Sequence, residues 1–262
     1  MIIMRQIFQI WSLVILVTVM FNNAEADSSP EMAYIPAGEF VMGSPEGDGK
    51  SNEHPQHKVY LDAFYIDRYE VTFKDFEEYL DTNPKQHPTI TGWYDRKARP
   101  DMLNKPVFGL RWERCKKYCE WKQKRLPTEA EWERTAKGIE NRAYPWGNEP
   151  PSDHRANYGN CCFIQRGMVL SQVGDFDQGK TPDMVFDLGG NVAEWVYDWY
   201  DKKYYTKSPY KNPKGPDKGK HHVIRGGAWN SLPVYLRSSS RYGDSDAKDY
   251  YGIGCRCAKS AD

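Results

Sequence analysis

Four of the six cysteines constrain this 262-residue chain more than any other feature. Cys115 and Cys119 stand four apart in a segment of helical pattern. Cys255 and Cys257 stand two apart in a strand-like run near the C-terminus. Each spacing puts its pair on one face of its element. Two parallel bridges, Cys119–Cys257 and Cys115–Cys255, would staple the helix to the last strand. Each would close a long loop, worth about 4–5 kcal/mol in the entropic account. The competing reading is a four-cysteine metal site, but both spacings fall outside the usual zinc pattern and no histidine is close by. Cys161 and Cys162 are adjacent, and a bridge between neighbours is strained. Free thiols or an intermolecular bridge remain open for them.

Bridges require an oxidising compartment, and the N-terminus supplies the reason to expect one. Residues 7–21 are apolar apart from Gln9, Ser12 and Thr18, with Arg5 before them and Ala24-Glu25-Ala26 after. This is the pattern of a secretory signal peptide over residues 1–26. The apolar run is shorter than the roughly 20 residues that span a bilayer, so no stable membrane anchor is expected after cleavage. Without a cysteine behind the run a bacterial lipid anchor is not expected, and without an Asn-x-Ser/Thr sequon a bacterial periplasm is favoured over a eukaryotic lumen. The expected location is therefore periplasmic or secreted.

Residues 27–31 form a polar leader, and residues 32–262 suit one sizeable domain. Lys plus Arg equals Asp plus Glu at 36 each, so no net field recruits nucleic acid or an anionic membrane. Nine Trp, eighteen Tyr and ten Phe accompany 21 Gly and 17 Pro, which points to a loop-rich fold whose irregular segments are pinned by rings.

Residues 32–42 read as a strand, a Pro-Gly turn and a second strand. Residues 58–67 alternate apolar and polar side chains like a strand. Thr72 can cap a helix whose stripe is Phe73, Phe76, Tyr79 and Leu80. A second helix is expected over residues 111–123. A third begins at Thr128, with Glu131 completing a capping box and Gly138 ending it. The remainder is mostly loop with short strands over residues 194–199, 222–224 and 251–257. Residues 225–241, RGGAWNSLPVYLRSSSR, suit a rigid loop lining a pocket rather than a regular element.

Read in order, the segments YIPAGEFVMGS, HKVYLDAFYIDRYEVT, RLPTEAEWERTAKG, YPWGNEP, DLGGNVAEWVYDWY, HHVIRGGAWNS and YYGIGCRCA resemble the formylglycine-generating enzyme family, also called sulfatase-modifying factors. The resemblance runs over residues 32–258. It implies a single compact, loop-rich α+β domain related to the C-type lectin fold. Active members oxidise a sulfatase cysteine to formylglycine with Cu(I), held by two cysteines in the loop after an RGGSW-type motif. Thiolate is the soft ligand Cu(I) requires. Here the two positions are Ser231 and Leu236, and the motif serine is Ala228. No cysteine lies between Cys162 and Cys255. Copper is therefore not expected, and neither is formylglycine formation by that route.

The resemblance also implies a structural calcium ion, with Asp187 and Glu194 ligating by side chain and Gly190 and Val192 by carbonyl. An all-oxygen set suits a hard cation. A second family calcium site would use Asn157 and the carbonyl of Tyr158, but residues 161–172 lack the aspartate it needs. Cys119–Cys257 matches a family disulfide, whereas Cys115–Cys255 would be an addition.

The candidate ligand pocket is Trp229, Asn230, Ser231, Tyr235, Arg237, Arg241 and Tyr242, where Arg can clamp an anion and the rings offer flat surface. The bland alternative pairs both arginines with internal carboxylates and buries Trp229. Two functions follow. The first is a non-catalytic binding or accessory protein of the cell envelope, with a protein or small-molecule ligand. The second is an oxidoreductase with another centre, such as an iron site using His221 or His222. Consecutive strand residues face opposite ways, so only one of these could reach a shared centre. His54 and His57 read as solvated loop residues. No phosphate loop, hydrolase triad or nucleic-acid pattern rises above chance.

Overall fold

The computed structural model describes residues 31–89, 91–160, 169–244 and 252–261. The signal-peptide expectation, all but the last residue of the leader, and Cys161–Cys162 lie outside the described residues.

The first strands are β1 (Met32–Ile35), β2 (Gly38–Met42), β3 (His57–Leu61) and β4 (Phe64–Asp67). The alternation over residues 58–67 predicts one strand, and the structure breaks it at Asp62–Ala63. β3 pairs antiparallel with β2, whereas β4 pairs antiparallel with β1. The chain leaves one sheet and enters another there, and the Asp62 N–H turns to the side-chain oxygen of Asn212.

Helix α1 (Phe73–Thr82) starts where expected. The Thr72 hydroxyl accepts from the Asp75 N–H, and the Asp75 carboxylate accepts from the Thr72 N–H. Phe73, Phe76, Tyr79 and Leu80 are its buried stripe. Each such side chain contributes about 1.5–3 kcal/mol of apolar burial. The hairpin β5 (Trp93–Tyr94) and β6 (Lys97–Ala98) covers its outer side, with Trp93 against Phe73 and Phe76.

Helix α2 (Trp112–Trp121) buries Trp112, Cys115, Tyr118 and Cys119. Cys119 is bridged to Cys257, with Cα atoms 5.6 Å apart across a sequence separation of 138. The second expected bridge is corrected: Cys115 and Cys255 are buried free thiols. Burial, and then the hydrogen-bonded Cys115 beside it, push the Cys255 thiol well above its ordinary range. The thiolate is the species that exchanges, so this environment disfavours closure.

Helix α3 (Glu129–Lys137) carries the expected capping box of Thr128 and Glu131 and stops at Gly138. Every residue of α3 is buried, charged ones included. The helix lies against β2 and β3 and against a four-stranded sheet formed by β7 (Ala193–Trp199), β8 (His222–Arg225), β9 (Arg241–Asp244) and β10 (Ile253–Gly254), in the order β10-β7-β8-β9. Side chains alternate along β7. Ala193 and Trp195 enter the aromatic core with α1 and α2. Glu194 bonds Trp132 of α3, and Val196 joins Trp132 in the second core. The last strand, β11 (Ala258–Ser260), pairs with β4 and completes the order β1-β4-β11. Residues 251–257 read as one strand, and among the described residues 252–257 the strand is β10 alone. Cys255 and Cys257 follow it, accepting from the N–H groups of Val71 and Asp67.

Candidate functional site

Arg225 ends β8, and the chain then turns through Gly226 and Gly227, both with positive φ. A Cβ on Gly226 would stand 2.9 Å from the Leu188 carbonyl oxygen, so only glycine fits. That closeness zips two loops together. The Gly190 N–H donates to Gly226 O at 3.0 Å, and the Trp229 N–H donates to Asn191 O at 2.9 Å. A third segment joins them, with Gly159 N–H on Ser231 O and Asn160 N–H on Trp229 O. Three loops thus converge on residues 228–231.

The sequence-predicted pocket residues divide. Asn230 is exposed, and Ser231, Tyr235 and Tyr242 are half-buried. Tyr235 and Tyr242 meet edge to face, and the Lys50 ammonium lies 3.9 Å from the centre of the Tyr235 ring. The Ser231 hydroxyl accepts from the Ala228 N–H at 2.9 Å. Leu236 is fully buried. Trp229 is 8 % exposed and packs edge-on against Phe108.

The two arginines are a correction. Arg237 makes two 2.9 Å bonds to Glu53, and Arg241 bonds both oxygens of Glu129 at 2.6 and 2.8 Å. They are tied to internal carboxylates and do not present open forks to a ligand. The physical reason is desolvation: Glu53 and Glu129 are buried, and a buried carboxylate is tolerated when a charge-assisted partner replaces its water.

The same device recurs nearby. Arg225 pairs with Glu133, which also accepts from Lys137 at 3.1 Å and from the Gly43 N–H at 2.7 Å. Burial alone would raise the Glu133 carboxyl; Lys137 and Arg225 outweigh it and hold it below its usual range. Burial would lower Arg225, and Glu133, Tyr205 and Glu129 overcome that. Asp198 differs: burial, then the Glu129 charge, push it well up, while it accepts from the Glu129 N–H at 2.8 Å.

The calcium expectation falls on residues 187–194. Asp187 has φ 58°, is buried, and accepts from the Gly174 N–H at 2.7 Å. Burial raises its carboxyl to about 6. Glu194 is held by Arg256 through Nε and Nη2 and by the Trp132 indole at 2.8 Å. Glu70 joins them, accepting from Asn191 Nδ2 and the Val192 N–H. Burial, then the charges of Asp187 and Glu194, push it well up. The donors are oxygens, as a hard cation needs, and three carboxylates face one guanidinium. Glu194 has its lone pairs filled by Arg256 and Trp132, so it would ligate by exchanging Arg256. Asn157 bonds Val169 O, Asn191 and Asn160, which occupies it structurally.

The histidines sit apart. His222 is sandwiched between Trp112 and Trp199, ring centroids 3.7 Å away on each side, while His221 is exposed. The Nε2 of His54 meets Asp48 O, and the Nδ1 of His57 meets Pro55 O. Among the described residues no group of three or more His, Cys, Asp or Glu side chains is placed to hold a metal.

The profile of the sulfatase-modifying factor enzyme 1-like domain matches residues 18–261. The chain belongs to that family. The formylglycine-generating enzyme of Mus musculus is 30 % identical over 283 residues, covering 87 % of this chain and 74 % of the enzyme. The inactive C-alpha-formylglycine-generating enzyme 2 of Mus musculus is 29 % identical over 282 residues, covering 88 % and 86 %. The serine/threonine-protein kinase pkn1 of Chlamydia caviae is 32 % identical over 253 residues, and the match covers 87 % of this chain but only 38 % of that kinase. Among solved structures, PvdO from Pseudomonas aeruginosa superposes with a TM-score of 0.71 at 27 % identity, covering 90 % of this chain and 96 % of PvdO. This sulfatase-modifying-factor domain is thus similar to an active enzyme, an inactive paralogue and part of a kinase.

Sequence reasoning missed Glu53, Glu129, Glu133 and Glu70 as partners. Glu129 and Glu133 stand four apart on α3, a spacing that could have flagged one face carrying two acids. Glu53 and Glu70 give no comparable local signal.

Proposed function

We propose that this chain is an exported member of the family that binds or assists rather than oxidises, acting in the cell envelope on a protein or small-molecule ligand. The observation that carries this reading is the condition of the two positions where active members resemble copper-binding thiolates. The Ser231 hydroxyl is spent on the Ala228 N–H, and Leu236 is sealed in the core. A hydroxyl and an isobutyl group offer Cu(I) no soft donor. The half-exposed rings of Tyr235 and Tyr242, with Lys50 over Tyr235, offer contact surface without a reactive centre.

Calcium belongs to the same proposal, as a structural ion at Asp187, Gly190, Val192 and Glu194. Support rests on the donor chemistry alone: Asp187 and Glu194 are buried carboxylates within one short segment, and oxygen donors suit a hard cation. Because calcium would have to displace Arg256 from Glu194, the proposal expects weak binding, on the order of the millimolar range of extracellular sites.

The test is metal analysis of protein purified from an oxidising compartment, with and without added calcium. Calcium alone is the expected finding. Copper or iron at one per chain would overturn the reading and restore the oxidoreductase alternative.

A further inference from the structure

Between β7 and β8 the chain reads YDKKYYTKSPYKNPKGPDKGKH over residues 200–221: seven lysines, two aspartates, and neither arginine nor glutamate. In a chain of zero formal net charge this is a pronounced local excess. All seven lysines are exposed. Lys207 pairs with Asp201 at 2.8 Å and Lys211 with Asp62 at 3.2 Å. The other five have no ion-pair partner among the described residues.

The segment is held in place. Tyr204, Tyr205 and Pro213 are buried. The Tyr60 N–H donates to Tyr210 O, the Asn212 N–H to Tyr60 O, and the Tyr200 N–H to His221 O. The lysine stems therefore project from a fixed backbone. They enclose an open cleft of about 580 Å³ walled by Lys202, Lys207, Lys218 and Lys220, with Tyr200 and His221 at its side. Only Asp201 and Asp217 oppose the four ammonium groups, and Asp201 is already held by Lys207.

We propose that this cleft binds an acidic polysaccharide carrying sulfate, phosphate or carboxylate groups. Lysine is a flexible point charge that accepts such anions without a fixed fork, whereas base reading in nucleic acid leans on arginine and planar amides, and the cleft walls have none. A bilayer surface calls for apolar side chains to insert, and the lining holds no aliphatic, Phe or Trp side chain. The cleft adjoins residues 228–242 at Arg241, which bonds Asp201 O at 3.2 Å, but its four lysines come from another segment, so the proposal does not depend on whether those residues perform chemistry.

Heparin oligosaccharide is the probe, with the full chain titrated at several salt concentrations. Wild type should bind with an affinity that falls steeply as salt rises. The triple variant Lys202→Gln, Lys218→Gln, Lys220→Gln should lose at least about tenfold in affinity, and its salt slope should flatten by roughly two to three, near one per lysine removed. A Lys116→Gln, Lys117→Gln control on α2 should bind as wild type does, and unchanged melting would show that the triple variant is folded. Equal affinity of the triple variant and wild type overturns the site. Tighter binding to phosphatidylglycerol vesicles or to a DNA duplex than to heparin at the same salt overturns the ligand class.

Discussion

Two populations of cationic side chains divide this molecule. The arginines of residues 225–256 are sunk into it: Arg225, Arg241 and Arg256 are at most 1 % exposed, each fixed to a glutamate. The lysines of residues 202–220 stand in water, and five of the seven have no ionic partner among the described residues. The difference follows from side-chain physics. A guanidinium is weakly hydrated, keeps its charge when buried and meets a carboxylate with a matching fork. An ammonium is strongly hydrated and stays outside unless it is paired, as Lys137 is with Glu133. Charge in the first region is architecture that locks irregular loops together. Charge in the second is available to a partner.

Four experiments sharpen or break that contrast. The largest effect is expected from Arg241→Met. It strips Glu129 of two bonds and should cost about 3–5 kcal/mol, as breaking a buried pair on one side does. Urea unfolding would measure it, and a loss below about 1 kcal/mol would move Arg241 into the solvated class. Next comes the Cys119–Cys257 bridge. Cys257→Ser should lower stability by about 2–4 kcal/mol while leaving the lysine cleft unchanged, as read by melting and by heparin titration.

Asp198→Asn probes a buried acid that lacks an arginine. Its folded-state pKa is raised, so the stability it contributes is present at low pH and declines as pH rises above the ordinary aspartate value of 3.8. Wild type should lose up to about 1.4 kcal/mol per pH unit through that window, the limit for one proton. The asparagine variant should not, because its side-chain oxygen still accepts the Glu129 N–H. Denaturation curves from pH 4 upward, roughly the start of that window, would check this. The smallest effect belongs to calcium. At roughly ten times a millimolar dissociation constant it should add about 1.4 kcal/mol and raise Tm by a few degrees, reversed by chelator. An Asp187→Ala variant should show no such shift.

The α-helices were legible because their signals are local. Thr128, Glu131 and Gly138 bracket α3, and Phe73, Phe76, Tyr79 and Leu80 repeat with the period of α1. Ordered motifs such as RLPTEAEWE and GNVAEW carried the family. The break between β3 and β4 was not legible, since residues 58–67 alternate without interruption and only the separate partners β2 and β1 divide them. Nor were the ion pairs. Glu129 lies 112 residues from Arg241, and Glu53 lies 184 from Arg237, so no spacing rule joins them. Ser231 and Leu236 could be read as missing sulfur. Their local roles, closing a turn and filling the core, needed coordinates. The basic character of residues 202–220 was present in the sequence but diluted by a balanced total, and the cleft around it emerged only with the fold.

The central claim, that residues 228–242 hold rather than oxidise, is tested most directly by incubating the purified chain with copper, oxygen and a sulfatase-derived cysteine peptide and weighing the peptide by mass spectrometry. The peptide mass should stay unchanged apart from thiol oxidation common to a protein-free control. Conversion of the cysteine to its aldehyde, dependent on the protein, would contradict it.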